Sequence, residues 1–256
     1  MAPTSPEASG SSLQLPEILT SFASDLIALQ EVDHRLERSA KRNQIEEIAD
    51  SIGAQWWAFA PTIAGTPGQS WRKLISRERV LITSKNEAPY YGIAMASKVP
   101  VTKWLRLELG RSWIGAPLLV PTPKGRVIPI YVKDEPRVAM AAVLENGWTV
   151  INTHLSFVPL VNIYQLFKVT RWAVKIERDF GTKVILLGDF NLAWSIPSRL
   201  TSFKRATQSH SYPAAKPAIA FDYILTKSEN LSELSEFTHP AISISDHRPL
   251  SVDIND

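Results

Sequence analysis

The sequence predicts an α/β sandwich of mixed β-sheets. Short apolar runs typical of strands alternate with a few segments that have apolar residues at helical spacing. Two of the apolar runs flank Asn146-Gly147, a dipeptide that strongly favours a hairpin turn. The 256 residues are 45% hydrophobic and only 21% charged, so the chain has enough apolar side chains for a sizeable core and is not mainly disordered.

The first half of the chain predicts two helices, several strands and one long loop. The predicted helices are Leu15 to Ala23 and Gln44 to Ile52, the second stopped by Gly53. The predicted strands are Asp25 to Leu29, which ends at Gln30-Glu31, then Gln55 to Phe59 and Tyr91 to Ser97. Several chain-breaking residues place a loop at Ala60 to Ser70. Short apolar runs cut by prolines predict strands with exposed connections from Trp104 to Val132.

The second half has more regular signals. Val138 to Leu144 and Trp148 to Asn152 form the predicted hairpin around Glu145-Asn146-Gly147. A helical pattern covers Tyr164 to Phe180, and Gly181 follows it in the usual position for a helix C-cap. Three further apolar runs complete the predicted strands: Val184 to Leu187, Phe221 to Leu225 and Leu250 to Ile254.

Composition excludes several classes of protein. The chain has no Cys, which rules out disulfide scaffolds, Cys-ligated zinc, iron–sulfur clusters and thiol catalysis. A net charge of +3 without a concentrated basic stripe permits a phosphate-bearing substrate but does not argue for one. No apolar stretch is long enough for a transmembrane helix, and residues 1–12 predict a disordered leader, not a secretory signal. We expect a cytoplasmic protein.

Polar side chains stand at the ends of the predicted buried strands, where a sheet edge brings such residues together. They are Glu31, His154, Asp189 with Asn191, Asp222, and Asp246 with His247. Each alone has a structural explanation: a solvated strand end, a hydrogen-bonded histidine, an Asx turn or a loop cap. Their joint occurrence favours a common site.

The residue types suit metal-assisted attack of water on a phosphoester. Carboxylate and amide oxygens are preferred ligands of Mg²⁺ or Mn²⁺, which keep water and substrate phosphate in their remaining positions. Asp189 and Asn191 are two residues apart, so they point to the same side of an extended segment. His247 oriented by Asp222 would make a general base, and His154 would hydrogen-bond a phosphoryl oxygen or protonate a leaving group.

An ordered set of motifs resembles the endonuclease/exonuclease/phosphatase superfamily, also called deoxyribonuclease-I-like. The motifs are Leu29-Gln30-Glu31-Val32, Asn152-Thr153-His154-Leu155, Gly188-Asp189-Phe190-Asn191, Phe221-Asp222-Tyr223-Ile224 and Ser245-Asp246-His247-Arg248-Pro249. Each is weakly specific, but the ordered set spans nearly the whole chain. The resemblance implies a four-layer α/β/β/α sandwich formed by residues 13–256 as one domain, with the site at one edge of the paired sheets.

The resemblance also implies a role for each residue of the set. Glu31 would be the principal Mg²⁺ ligand, and Asp246 would lie next to the metal. Asp189 and Asn191 would hold the attacking water and the phosphate. His247 and Asp222 would form the catalytic pair, with His154 on the phosphate. Arg137 is a further candidate for phosphate contact, and a solvent-exposed arginine at a strand end is the equally weighted alternative.

The sequence departs from the family pattern at its start. Members begin with a hydrophobic strand ending in an Asn of the metal site, and here no such strand precedes Gln30. We therefore expect the first strand to be lacking. The leading prediction is a monomeric Mg²⁺- or Mn²⁺-dependent hydrolase of a phosphodiester or phosphomonoester. The alternative is a non-catalytic or truncated member that serves as a binding or structural module.

The substrate stays open between DNA, RNA, lipid, inositol phosphate and nucleotide. Nucleic acid predicts basic and aromatic residues around the site. Trp194 follows the Asp189 motif and has two interpretations, stacking on a base or packing on the sheet edge.

Overall fold

The computed structural model describes residues 22–121 and 127–255. The strands are β1 (Leu26–His34), β2 (Trp56–Gly65), β3 (Trp71–Lys73), β4 (Tyr90–Ser97), β5 (Val101–Gly110), β6 (Ala116–Pro121), β7 (Val127–Val132), β8 (Arg137–Leu144), β9 (Trp148–His154), β10 (Lys183–Asp189), β11 (Phe203–Arg205), β12 (Asp222–Lys227), β13 (Leu234–Thr238) and β14 (Leu250–Ile254). The α-helices are α1 (Gln44–Ile52), α2 (Val161–Phe180) and α3 (Ile196–Leu200). Short 3₁₀ helices cover Glu37–Ser39, Ser76–Glu78 and Ser228–Glu233.

Two large sheets form the centre of the fold. One has the strand order β1-β4-β2-β3 and is antiparallel throughout. The other has the order β11-β12-β10-β9-β8-β5 and is mixed, because β9 and β10 run parallel. The connection between these two parallel strands is α2, as expected for a crossover. Two hairpins, β6–β7 and β13–β14, are separate two-stranded sheets.

Three hydrophobic cores separate four layers. The central core lies between the sheets, where Ala58 and Met95 of the small sheet meet Met140 and Ile185 of the large one. On the outer face of the small sheet, buried isoleucines of α1 such as Ile48 pack against the strands. A third core lies between the large sheet and α2. The predicted α/β/β/α sandwich is therefore confirmed.

Several elements begin and end where the sequence predicts. Helix α1 covers Gln44–Ile52, and Gly53 ends it in the left-handed conformation. The hairpin β8–β9 turns at Glu145-Asn146-Gly147, with the side chain of Asn146 accepting a hydrogen bond from Trp148 N. Helix α2 begins three residues before the predicted Tyr164 and ends at Phe180 as predicted.

Two boundaries in the small sheet were predicted wrongly. Strand β1 does not stop at Gln30-Glu31 but continues to His34. A bulge between Leu29 and Val32 shifts the register, so that the strand pairs with β4 on both sides of it. Strand β2 continues through Pro61 to Gly65, where the sequence predicts a loop. The register shifts between Pro61 and Ile63, and a bulge of this kind accommodates a proline that has no N–H to donate.

The N-terminal predictions lie mostly outside the described residues. The leader at residues 1–12 and the predicted helix up to residue 21 fall in that part of the chain. Among the residues that the structure describes, β1 is the first strand and lies at the edge of its sheet. In the same residues, no helix combines the length and apolar composition needed to cross a membrane.

Candidate active site

The large sheet brings three polar strand ends together at one edge, called the site edge below. Strand β9 ends at His154, β10 ends at Asp189, and β12 begins at Asp222. In the register of the sheet, Asp189 lies opposite His154 on one side and opposite Asp222 on the other. Backbone pairing alone therefore makes these three residues neighbours.

His247 joins the strand ends from the segment that leads into β14. Its Nδ1 lies 2.6 Å from Oδ2 of Asp222 in a hydrogen bond. One possible ligand atom from each of Asp189, Asp222 and His247 lies within 4.8 Å of the others. On the other side, Nε2 of His154 is 3.5 Å from Oδ2 of Asp189. The imidazole of His247 also contacts the ring of Tyr212, with the centroids 5.0 Å apart.

The two carboxylates and the histidine strongly perturb one another. Burial, followed by the charge of Asp222, raises the pKa of Asp189 to about 8. Burial lowers the pKa of His247, but the Asp222 hydrogen bond and the nearby carboxylate charges outweigh it and raise the pKa to about 9. Asp189 and His247 therefore retain protons at neutral pH that the same groups would largely lose in solvent.

His154 has the opposite electrostatic character. It is buried, and burial together with the positive charges of Arg137 and His247 holds its pKa well below the ordinary value. The imidazole is therefore neutral at neutral pH. A neutral ring that faces Asp189 suits hydrogen bonding to a phosphoryl oxygen better than donation of a full proton.

A cleft beside this group lies between the tops of the two sheets. Its lining includes Thr62, Tyr91, Glu135, Arg137 and His154. Arg137 is only 5% exposed, so the alternative of a solvent-exposed strand-end arginine is wrong. Its guanidinium lies 3.5 Å from the Glu135 carboxylate, and its Nε has no hydrogen-bond partner among the described residues.

Glu31 reaches the same region from the bulge in β1. Its backbone has φ of 59°, a left-handed conformation that costs about 1 kcal/mol for a residue other than glycine. The side chain is exposed. Burial is the largest cause of the raised pKa of both Tyr91 and Asp189, and the negative charge of Glu31 adds a smaller contribution to each. Glu31 therefore lies near Tyr91 and Asp189, although it lies outside the close group of Asp189, Asp222 and His247.

Asn152 fixes the position of the bulge relative to the large sheet. The residue is fully buried in β9, and its Oδ1 accepts a hydrogen bond of 2.7 Å from Nε2 of Gln30. Its Nδ2 donates to the carbonyls of Leu29 and Ala94, each at 3.0 Å. One side chain thus connects β1 and β4 of the small sheet to β9 of the large sheet, two residues before His154.

Asp246 and Asn191 lie at the margins of the group. Asp246 is exposed, its carbonyl accepts a hydrogen bond from Ala214 N, and its charge contributes to the raised pKa of His247. Its carboxylate is not part of the close group. Asn191 has φ of 49°. Its backbone N–H donates a hydrogen bond of 2.8 Å to Oδ1 of Asp189, and its Nδ2 donates one of 3.0 Å to the carbonyl of Leu155. This Asx-type turn orients the Asp189 carboxylate.

The donor set fits a hard divalent cation. Metal–oxygen bonds of about 2.1 Å place neighbouring ligand atoms roughly 3 to 4 Å apart, which is compatible with the observed close group. The donors are carboxylates and imidazole without any thiol, as for Mg²⁺ or Mn²⁺. The residues available to hold such an ion are Asp189 and Asp222 in the group and Glu31 and Asp246 at its margins.

Three residues of this region were not singled out for a role by the sequence. Asn152 occurs in the Asn-Thr-His motif, but only the fold reveals its contacts to Gln30 and Ala94. Tyr91 and Glu135 line the cleft, and burial raises the pKa of each above its ordinary value. The polar Glu135 two residues before Arg137 was the available signal for this part of the site.

Comparisons with known proteins agree with the fold and the motifs. The sequence profile of the Endonuclease/Exonuclease/phosphatase family matches residues 5–247. The chain therefore belongs to this family, and the resemblance found in the motifs is confirmed. A search of curated protein sequences found no match.

Solved structures of the same fold cover almost the entire chain at low identity. A mannosyl-6-phosphatase of Bacteroides thetaiotaomicron is 11% identical with a TM-score of 0.58, and the match covers 96% of this chain and 91% of that one. The human Nocturnin catalytic domain is 16% identical with a TM-score of 0.57, covering 94% and 84%. A family protein from Leptotrichia buccalis is 14% identical with a TM-score of 0.59, covering 100% and 96%.

Proposed function

We propose that the protein is a metal-dependent phosphoesterase that hydrolyses its substrate by in-line attack of water. The hydrogen bond between His247 and Asp222, placed beside Asp189 at the site edge, carries this proposal. Membership of a family named for endonucleases, exonucleases and phosphatases supports it. So does the similarity in fold to a sugar phosphatase and to Nocturnin.

His247 is the general base in this mechanism. Asp222 holds Nδ1, which directs Nε2 at the attacking water. Because the pKa of His247 is raised to about 9, the neutral ring that can take the proton becomes more populated as pH rises towards that value, and activity is expected to rise with it. Asp222 also stabilises the imidazolium that forms when the proton arrives. Asp189, oriented by the backbone N–H of Asn191, holds the attacking water in line with the phosphorus.

The remaining residues bind and orient the phosphate. Neutral His154 donates a hydrogen bond to a phosphoryl oxygen, and the buried guanidinium of Arg137 provides positive charge from the cleft. Glu31 and Asp246 would hold Mg²⁺ or Mn²⁺ together with the aspartates of the group. When bound, this cation stabilises the negative charge that develops on the phosphoryl oxygens.

The test is hydrolysis of bis-p-nitrophenyl phosphate with added Mg²⁺ or with EDTA. Removal of the base by His247→Ala is expected to lower kcat about a thousandfold, within the usual range for general base catalysis. His210→Ala is the matched control, because His210 is an exposed histidine outside the group. Its activity is expected to equal that of the wild type.

The same assay decides between the enzyme and the binding module. Turnover that requires Mg²⁺ and is lost in His247→Ala supports the enzyme. Turnover that is equal in the wild type and His247→Ala, or that EDTA leaves unchanged, contradicts the proposal.

A further inference from the structure

The large sheet fixes the relative positions of Asp189 and Asp222, but it does not fix His247. The two aspartates lie in neighbouring strands, where the register pairs them directly. His247 belongs to residues 239–249, which contain no helix and no strand. The strand that follows, β14, pairs with β13 in a separate two-stranded sheet. Another part of the molecule must therefore hold His247 beside Asp222.

The segment between β11 and β12, residues 206–221, leads directly into Asp222, and we call it the β11–β12 loop. Tyr212 and Ile219 form an antiparallel bridge across it, with backbone hydrogen bonds of 2.9 and 3.0 Å. Ser211 is fully buried, and its Oγ accepts a hydrogen bond of 3.4 Å from Asp222 N. The loop is therefore closed on itself and attached to the start of the strand that carries Asp222.

Three hydrogen bonds of 2.8 Å or less join this loop to the segment that carries His247. Ala214 N donates to Asp246 O at 2.7 Å, and Arg248 N donates to Ser211 O at 2.8 Å. The third comes from the side chain of Arg248, whose Nε donates to Ala214 O at 2.6 Å. The residues immediately before and after His247 are therefore both held by the loop.

The guanidinium of Arg248 is used for backbone contacts. Its Nη2 donates a second, longer hydrogen bond of 3.4 Å to Ala215 O, so the side chain binds two consecutive carbonyls of the loop. Asp246 is exposed two residues earlier, and within residues 22–121 and 127–255 Arg248 forms no ion pair with it or with another carboxylate. Hydrogen bonds from a charged donor are stronger than those between neutral groups. The charge of Arg248 therefore strengthens the attachment of the His247 segment to the loop.

Two aromatic rings of the same loop lie against the imidazole. The ring centroid of Tyr212 is 5.0 Å from that of His247, and the ring centroid of Phe221 is 6.4 Å from it. Tyr212 and Phe221 also contact each other, with centroids 5.6 Å apart. Such tilted contacts restrict how the imidazole can turn, while Asp222 holds its Nδ1. The loop thus contacts both the backbone and the ring of His247.

From these contacts we infer that Arg248 is a positioning residue that holds His247 against Asp222. It does so by fastening residues 246–248 to the β11–β12 loop. A displacement of about 1 Å at a catalytic group can cost about a hundredfold in rate, so this attachment matters for turnover. The effect on rate rests on the proposed function, in which His247 is the base. The attachment itself can be measured without catalysis.

The test compares two variants of Arg248 that differ in one donor. Arg248→Gln keeps an uncharged N–H donor where Nε stands, and Arg248→Met has a methyl group there. With bis-p-nitrophenyl phosphate and Mg²⁺, Arg248→Met is expected to lower kcat about thirtyfold and to leave KM unchanged. Arg248→Gln is expected to keep kcat within about threefold of the wild type, because it retains the bond to Ala214 O.

Arg79→Met is the matched control. Arg79 is exposed, and its Nε also donates to a backbone carbonyl, Leu74 O, but in a segment next to the small sheet. Loss of this bond leaves His247 and Asp222 in place. The kcat of Arg79→Met is therefore expected to equal that of the wild type.

Hydrogen–deuterium exchange followed by mass spectrometry measures the attachment directly. In Arg248→Met, peptides from residues 211–219 and 239–249 are expected to exchange about tenfold faster than in the wild type. Peptides from β9 and β10 should exchange as before, which separates local release from general loss of the fold. Arg248→Gln should retain the protection of both segments.

Four results overturn the inference. They are an unchanged kcat in Arg248→Met, a rise in KM alone, an equal loss of kcat in Arg248→Met and Arg248→Gln, and unchanged exchange in both segments. The second result would assign Arg248 to substrate binding, and the third would assign its effect to charge. If the wild type shows no turnover, the proposed function fails, and the exchange of the two segments alone decides whether Arg248 holds His247 in place.

Discussion

The two edges of the same sandwich differ in how they accommodate charge and backbone strain. At the edge opposite the site, Gly147 and Gly181 take the left-handed turns, and Lys183 pairs with Glu233 in solvent. At the site edge, Gly110 and Gly188 have positive φ too, but the non-glycine residues Glu31 and Asn191 also adopt left-handed conformations. The carboxylates there are also partly buried and close together. Since strain and like charges destabilise the fold, their concentration at one edge marks where function opposes stability.

The largest effect in this comparison is expected from Asp189→Asn. The raised pKa of Asp189, about 8, means that the folded state resists ionisation of this carboxyl group, which the unfolded chain ionises freely. The variant should therefore gain on the order of 1 kcal/mol of unfolding free energy at neutral pH, while kcat falls about a hundredfold or more. Urea denaturation and the phosphodiester assay measure the two quantities.

Asp50→Asn provides the matched control for this change. Asp50 is an exposed carboxylate on α1, so neither stability nor activity should change. A loss of stability in Asp189→Asn would show that the carboxylate supports the fold, and the contrast between the edges would then be wrong.

At the opposite edge, Gly147→Ala should lower the stability of the fold and leave activity unchanged. Gly147 has φ of 84°, and a Cβ there would meet no atom within 4 Å, so conformational strain is the main penalty. The expected loss is about 1 kcal/mol of unfolding free energy with unchanged kcat. Trp194→Gly is the matching change at the site edge. Trp194 has φ of 54°, a conformation that suits glycine, so this variant should not lower the unfolding free energy. Equal stability of Gly147→Ala and the wild type would contradict the comparison.

The smallest expected effect concerns pH and the buried His34 at the end of β1. Its Nδ1 donates to Ala88 O at 2.9 Å and its ring stacks on Phe59, but Nε2 has no partner in the described part of the chain. Burial lowers its pKa below 6.5, so the neutral ring contributes stability above pH 6.5 that is lost as pH falls through the folded-state pKa.

His34→Asn keeps a donor near the position of Nδ1 but cannot titrate. The wild type should lose up to about 1 kcal/mol more than the variant when pH falls from about 7.5 to about 5.5. The variant retains part of the pH dependence, because His154 also has a lowered pKa. Thermal unfolding across this range measures the difference, and identical pH profiles for both proteins would exclude His34 as a source.

Much of the fold and site followed from local sequence signals. The alternation of apolar runs located most strands, and Gly53, Asn146-Gly147 and Gly181 marked ends and turns that the structure retains. The sequence also placed Asp189 and Asp222 at strand ends. It did not predict that β1 continues past Glu31 or that β2 passes through Pro61, because bulges depend on the neighbouring strand β4.

What the sequence determined by itself is the set of chemical groups and the family to which they belong, because each motif is a short run whose residue types are fixed locally. Only the tertiary structure decided that Arg137 is buried and that Asn152 joins the sheets through Gln30, 122 residues away. Burial and hydrogen bonding depend on partners distant in the chain. No local pattern encodes which partner a polar or apolar side chain will meet.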